Sequence, residues 1–587
     1  MIDQALRQAD GAANPARRMP GEPGNHEPAG SARGTKASIG DPGSAATDPD
    51  SAATDADGIA ADPGGAGAVM PDGAVVPGGG GRPARLGARR LPGATGLWLS
   101  IFAVSLGLFI VRFLLPTPVG QADNRDGPRL MCGLGLGPVV PPGYPRFFRY
   151  AYFEYVPYKG CASLHPYPSS ELVPLELARL LTPVLGLPGA LNLIAVGLLM
   201  CVIASAGIAS LATGLRLRLW AQLLAAAIAW LIIADAAFFD VFAGPFSEPA
   251  ALVGLLLVAA GVVYLGRDWR ATVFGLVLAG SGGILAILAK EQYLILVVPI
   301  CLTLVLASAG QGNGRGLRRF RTRQTGAAVT VAAILAITAA GYGLWGYTSP
   351  YSQRLQHIQA VDMIFDDIVN GHDNAPADLR ALGLPASWAR YARHYYWDKV
   401  SVRHDPLYPR YEARLTDGNI AHFLLTHPSR VISVGQQAAI QAQHFRVTAL
   451  GDYPPAAGHR PGAVESRVIV VTWLAHQISP SLGLLWLVPL WTAMAAVAIV
   501  ARRRRRGRPW HRDGAVLVLC MTGCAVVAFI PPAYFAGIST TRHMVGMNIA
   551  TALAFPMSIA LAASMIHQAL ARVRQRPRNR SAGPADG

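Results

Sequence analysis

Ten apolar runs dominate the chain: residues 96–115, 189–212, 219–239, 249–266, 271–289, 292–309, 326–346, 482–501, 514–531 and 544–567. A helix needs about 20 apolar residues to cross a bilayer, so each run is a candidate span. Basic clusters sort them. Arg82, Arg85, Arg89 and Arg90 precede the first run. Arg216 and Arg218 follow the second, and Arg267 and Arg270 the fourth. RGLRRFRTR at 315–323 follows the sixth, ARRRRRGR at 501–508 the eighth, and RVRQRPRNR at 572–580 the tenth. Short loops rich in Lys and Arg stay in the cytoplasm. One topology satisfies every cluster, with both termini cytoplasmic. The chain reads as an all-α polytopic membrane protein with about ten transmembrane helices.

Of 587 residues, 52% are hydrophobic and 14% charged, against about 25% charged in a soluble domain. The net charge of +17 would suit a nucleic-acid binder. Its arginines, however, lie in short loops between apolar runs, where they set orientation, so nucleic acid is not an expected partner. Lysine is rare while Ala, Gly, Arg and Pro abound. That bias points to a G+C-rich bacterial genome and hence to a bacterial cytoplasmic membrane. Residues 1–90 are Gly, Pro, Ala, Ser and Asp with almost no aromatics. They cannot bury enough apolar area to offset ordering and are predicted to form a disordered cytoplasmic tail. No cleavable signal peptide precedes the first apolar run, which serves as a signal anchor. The remaining divisions are a membrane module at 91–346, a large outer loop at 347–481, membrane helices at 482–570 and a basic cytoplasmic tail at 571–587.

The first outer loop runs from 116 to 188. Its end, SSELVPLELARLLTPVLG, carries a Ser N-cap signal and apolar residues at helical spacing. It is too short and polar to span, so an interfacial amphipathic helix is expected. In the second loop, SPYSQRLQHIQAVDMIFDDIVN places Leu355, Ile358, Val361, Phe365 and Ile368 on one helical face. NIAHFLLTHPSRVISVGQQAAI reads as another interfacial helix. Cys132 and Cys161 share the first loop, and an oxidising exterior would let them pair or leave two thiols. Cys201, Cys301, Cys520 and Cys524 lie in apolar runs, as small buried thiols do.

Charge at the edge of hydrocarbon is costly and usually functional. The expected outer face gathers several such groups at segment ends. ADNRD brings Asp123 and Asp126 directly after the first span; one of them could serve as a base, or both could be loop acids paired with Arg125 or Arg129. Asp235 lies near the outer end of the third span. Glu248 precedes Pro249, so it is either a helix-capping acid or a site residue. AKEQY at 289–293 joins two spans with almost no loop and holds Lys290 and Glu291. Lys290 could pair with Glu291, snorkel, or hold a phosphate. Arg542 and His543 open the tenth span, where a cation is unfavourable against the helix dipole and calls for an anionic partner such as phosphate. SWARYARHYYWDK at 387–399 is aromatic-rich, a composition shared by membrane interfaces and sugar sites. The chain has no P-loop, no dinucleotide fingerprint and no metal-ligand spacing among its outer histidines.

An outer carboxylate after the first span and a large outer loop before the last spans resemble the GT-C superfamily of integral membrane glycosyltransferases. The nearer resemblance is to bacterial glycan-biosynthesis hexose transferases. It rests on ADNRDGPRLM at 122–131, GPFSEPAALV at 244–253, AKEQY, NAPADLRALGLPASWARYARHYYW at 374–397, HFLLTHPSRV at 422–431 and RHMVGMN at 542–548. In it, Arg125 stands where a small residue is expected. The resemblance implies a polyprenyl-phosphate-sugar donor and a glycan or lipid-linked acceptor hydroxyl outside the cytoplasm. Asp123 or Asp126 would be the base, and Lys290, Arg542 and His543 would hold the donor phosphate. Glu248, Glu291, Asp235 and Arg129 would support them. No cofactor is required; clustered carboxylates are compatible with a divalent metal but do not demand one. The other readings are a lipid-linked glycan flippase or transporter, which needs a polar path through the spans, and a glycan polymerase.

The alternation of basic loops makes the topology testable. Reporter fusions after Arg216 and Arg323 are expected to read cytoplasmic, and fusions near Lys159 and Lys399 external. An external reading at Arg323 contradicts the topology.

Overall fold

The structure is a computed structural model, and it describes residues 93–163, 168–309, 317–344, 350–370, 374–478, 480–504, 508–537 and 540–575. The expected tail at 1–90 and most of that at 571–587 lie outside the described residues. Helix dominates. All ten apolar runs are mainly helical where described, but they are not ten uniform spans. Among the described residues, seven helices are long and apolar enough to cross a membrane: Thr95–Leu114, Leu193–Gly214, Trp269–Ile287, Gln324–Gly341, Leu484–Arg503, Pro509–Phe535 and Val545–Arg572. The third run is broken into Leu219–Ile233 and Ala236–Ala243, bent by 64°. The fourth and sixth form shorter apolar helices, Glu248–Val262 and Glu291–Ala307.

Asp235 sits at the bend and explains it. Its carboxylate accepts the Ala237 amide at 3.1 Å, capping the next helical turn. It also accepts the amides of Val471 and Thr472 at 2.7 and 3.1 Å and the Thr472 hydroxyl at 2.6 Å. One buried acid thus terminates one helix and starts two others, Ala236–Phe239 and Val470–Gln477. Side-chain caps of this kind satisfy amides that a helix start leaves open.

The fourth and fifth helices pack along a glycine seam. A Cβ on Gly254 would lie 2.6 Å from the Gly282 carbonyl, and one on Gly261 would lie 2.6 Å from the Gly275 carbonyl. Small residues let helix backbones approach closely in a membrane, where van der Waals packing drives association. The consequence reaches the ends of the two helices, because Glu248 begins one of them and Lys290 lies just beyond the other.

The first long loop, expected to be the outer one at 116–188, is anchored at both ends. Three short antiparallel strands, Leu136–Pro138, Glu154–Pro157 and Leu191–Asn192, pair in that order and return the loop to the second span. Cys132 and Cys161 form a disulfide with Cα atoms 5.1 Å apart. The expected interfacial helix is Leu172–Val184. Leu175 and Ala178 are buried on its inner side, while Val173, Leu177, Leu180 and Val184 form an exposed apolar stripe. Its serines do not cap it as expected. Ser170 donates to the Leu285 carbonyl at 2.6 Å and Ser169 to the Ala289 carbonyl at 2.7 Å, clipping the loop to the end of the fifth span.

The second long loop builds its own core around Phe365, Leu379, Trp388, Ile420 and Phe423. The stretch expected to be one interfacial helix is two, Asp417–Thr426 and Pro428–Ala442. Both bury apolar residues inside the protein, Ile420 and Phe423 in the loop core and Ala438 and Ala439 against the membrane helices.

The glycine seam gives a direct test. Gly261→Val would overpack the fourth and fifth helices and is expected to destabilise by about 1–3 kcal/mol. Gly107→Val, at a position with open space around it, serves as the control. Thermal unfolding in detergent should drop for the first and not the second.

Candidate active site

The local sequence ADNRDG folds into a loop held by its own side chains. Asp123 accepts the amides of Arg125 and Gly127 at 2.7 and 2.9 Å through one carboxylate oxygen. Asn124 accepts the Asp126 amide at 3.1 Å. Short polar side chains favour such turns over regular structure. Gly127 is required by space, since a Cβ there would lie 2.5 Å from the Asp123 carboxylate. Arg125 takes φ of 86°, a left-handed conformation that suits glycine better. That accounts for the small residue expected there.

The loop separates the two acids. Asp123 points back into the loop and is 5% exposed. Burial raises its pKa to about 6, against the pull of the two amides. Asp126 precedes the short helix Gly127–Met131 and opens onto a cavity of about 650 Å³. Burial would raise its pKa, but Arg542 and then Lys290 outweigh it and hold the carboxyl well below its usual range. Asp126 therefore stays ionised and weakly basic while these partners face it.

The cations come from two other segments. Lys290 is an extended residue between the fifth span and the turn Glu291–Leu296. Its ammonium pairs with Glu248 at 3.3 Å rather than with Glu291. Burial lowers its pKa, while Glu248 resists that shift. Arg542 and His543 belong to a short turn, Thr540–His543, set off from the last span, which begins at Val545. Arg542 pairs with Asp126 and, at 3.6 Å, with Glu248. The anionic partners demanded by a cation at this helix start are thus carboxylates of the chain itself. Gln292 donates to the His543 carbonyl at 3.0 Å, tying the two cationic segments together. Burial first, then Lys290 and Arg542, push the His543 ring well below its ordinary pKa. It is a neutral hydrogen-bonding group near pH 7 rather than a third cation.

Glu248 is free for this role because another acid caps its helix. Glu171, from the first long loop, accepts the Ala250 amide at 2.7 Å. Burial, with Glu248 nearby, pushes the Glu171 carboxyl well above its usual range. Local sequence carries no signal for this contact, since its partners lie 79 positions apart.

Asp126, Arg129, Glu248, Lys290, Glu291, Arg542 and His543 all line the cavity. Arg129 approaches Asp126 at 3.6 Å. Asp123 and Asp235 do not line it; the first shapes the loop and the second caps helices. Of the aromatic cluster at 387–399, only Trp397 does so, with Phe148 and Phe246 as further rings. Trp388 is fully buried in the loop core. Among the described residues, no three or more His, Cys, Asp or Glu side chains gather as a metal site.

Membrane-length helices with a charged, partly apolar cavity at their ends define an integral membrane protein with a built polar centre. Its family is shown by sequence: the chain belongs to the YfdI N-terminal transmembrane domain family, whose model matches residues 89–580. No curated protein and no solved structure matches the chain.

Proposed function

We propose that the chain is a glycosyltransferase of the GT-C kind, moving a sugar from a polyprenyl-phosphate donor to an acceptor hydroxyl on the outer face of a bacterial cytoplasmic membrane. The observation that carries this reading is the pairing of Asp126 with Arg542 inside the cavity, beside Lys290 and Glu248. Such a pair holds a base and a phosphate ligand in one place, each masking the other. A donor phosphodiester entering the cavity competes with Asp126 for Arg542. Once the guanidinium turns to the phosphate, Asp126 loses the charge that depressed its pKa and becomes a stronger base.

The steps then balance. Asp126 takes the proton of the acceptor hydroxyl. The acceptor oxygen bonds to the anomeric carbon from the face opposite the phosphate, and the carbon–oxygen bond to phosphate breaks. Polyprenyl phosphate leaves with one more negative charge than it carried as the diester. Arg542 and Lys290 stabilise that developing charge. His543, as a neutral ring, can hydrogen-bond the same phosphate. Trp397, Phe148 and Phe246 offer faces for the sugar. Attack from the far side inverts the anomeric centre.

The described spans give a transport path little support. Asp235 is consumed as a cap, and Asn192 caps the second span by accepting the Ile194 amide at 3.0 Å.

Transfer of radiolabelled sugar from a polyprenyl-phosphate donor into the envelope fraction tests the assignment. Asp126→Asn is expected to lose about 10²-fold or more. Asp123→Asn keeps an acceptor oxygen for the loop amides and should stay near wild type. Arg542→Ala should weaken donor use by about 10- to 100-fold, with partial recovery in Arg542→Lys. Full activity in Asp126→Asn contradicts the mechanism.

A further inference from the structure

A second cavity, of about 800 Å³, lies at the other ends of the same helices. The last span relates the two. His543 lies just before it at the first cavity, and His567 lines the second, roughly 35 Å further along the helix axis. This cavity is a groove between the third span and the ninth and tenth. Its walls are apolar, with Leu224, Ile228 and Ile232 on one side and Leu517, Leu553 and Met557 on the other. Between Trp220 and Ile232 it follows about 18 Å of helix, close to the ~15 Å of one leaflet's hydrocarbon.

Its mouth is cationic and aromatic. Arg216, Arg218, Arg508, Trp220 and Trp510 surround it. Arg216 is engaged, holding Asp513 at 2.8 and 2.9 Å. Arg218 and Arg508 are exposed and have no carboxylate partner among the described residues. Tryptophans at this level mark the headgroup region. The groove also borders a helix with few close neighbours of its own. Trp220, Leu223 and Leu224 on the third span are 64, 48 and 52% exposed.

We propose that this groove is a binding site for one anionic glycerophospholipid, independent of which reaction the outer cavity carries. The acyl chains lie along the apolar walls and complete the packing of the third span. The phosphate sits between Arg218 and Arg508. Basic pockets between transmembrane helices on the positively charged side bind anionic headgroups by this combination. A zwitterionic lipid fills the groove and brings the same phosphate, but its own ammonium offsets that charge beside the two arginines.

Native mass spectrometry of the full-length protein in detergent tests this, with phosphatidylglycerol, phosphatidylcholine and glycerol phosphate as probes. Wild type is expected to retain one phosphatidylglycerol with a preference over phosphatidylcholine of about tenfold or more, the scale of two interfacial arginines. The Arg218→Ala/Arg508→Ala variant should lose the preference. Ala225→Trp, which fills the groove with both arginines intact, should lose the retained lipid. Glycerol phosphate should not be retained. Equal retention of the two lipids by wild type overturns the proposal, as does an undiminished signal in either variant. Retention of glycerol phosphate comparable to the lipid would mean an anion site without a groove ligand, and also overturns it.

Discussion

The ion cluster of Asp126, Arg542, Glu248 and Lys290 is the constraint on which this end of the helices and the two long loops depend. Its members come from the first loop, the start of the fourth span, the turn after the fifth and the turn before the tenth. The Arg542–Asp126 pair alone closes a separation of 416 residues. Charges taken from water are expensive unless paired; for Glu248 and Lys290, 2 and 13% exposed, losing one partner typically costs about 3–5 kcal/mol, whereas Asp126, 41% exposed, is partly screened by solvent. Each backbone segment must therefore arrive in register. The glycine seam brings the fourth and fifth helices together, Glu171 relieves Glu248 of capping, and Asp123 shapes the loop that presents Asp126.

A second charged network holds the cavity's outer wall. Asp240, on the bent third span, meets Arg112 from the end of the first span at 3.4 Å and Arg446 from the second long loop at 3.2 Å. Arg446 also pairs with Asp452, and Arg467 pairs with Glu465 at 2.7 Å while donating to the Arg112 carbonyl at 2.8 Å. Backbone bonds continue this frame into the site. Gly451 donates to the Phe148 carbonyl at 2.9 Å, and Phe148 to the Asp123 carbonyl at 2.9 Å. Phe148, Val447 and Leu450 thus line the cavity from a fixed frame. Asp240, the centre of this network, is 1% exposed.

What the sequence made legible follows from what sequence encodes locally. Apolar runs of spanning length and basic loops are composition, so the helical membrane architecture was readable. The path of a helix is not composition; the break at Asp235 depends on amides more than 230 positions away. Asp126, Lys290, Arg542 and Glu248 stood out because charge is rare at the edge of hydrocarbon. Asp123 carried the same signal as Asp126, and only the loop's internal hydrogen bonds separate them. Glu171 and Trp397 gave no distinguishing sign, one an acid in a polar loop and the other one of five aromatics in thirteen residues.

The central claim is that Asp126 and the donor phosphate compete for Arg542. Equilibrium binding of polyprenyl phosphate, which carries the phosphate but no sugar to transfer, to purified wild type and Asp126→Asn measures that competition without turnover. Removing the competing carboxylate should tighten binding by about tenfold, the scale of one charge-assisted hydrogen bond to phosphate. Weaker or unchanged binding in Asp126→Asn would contradict the account.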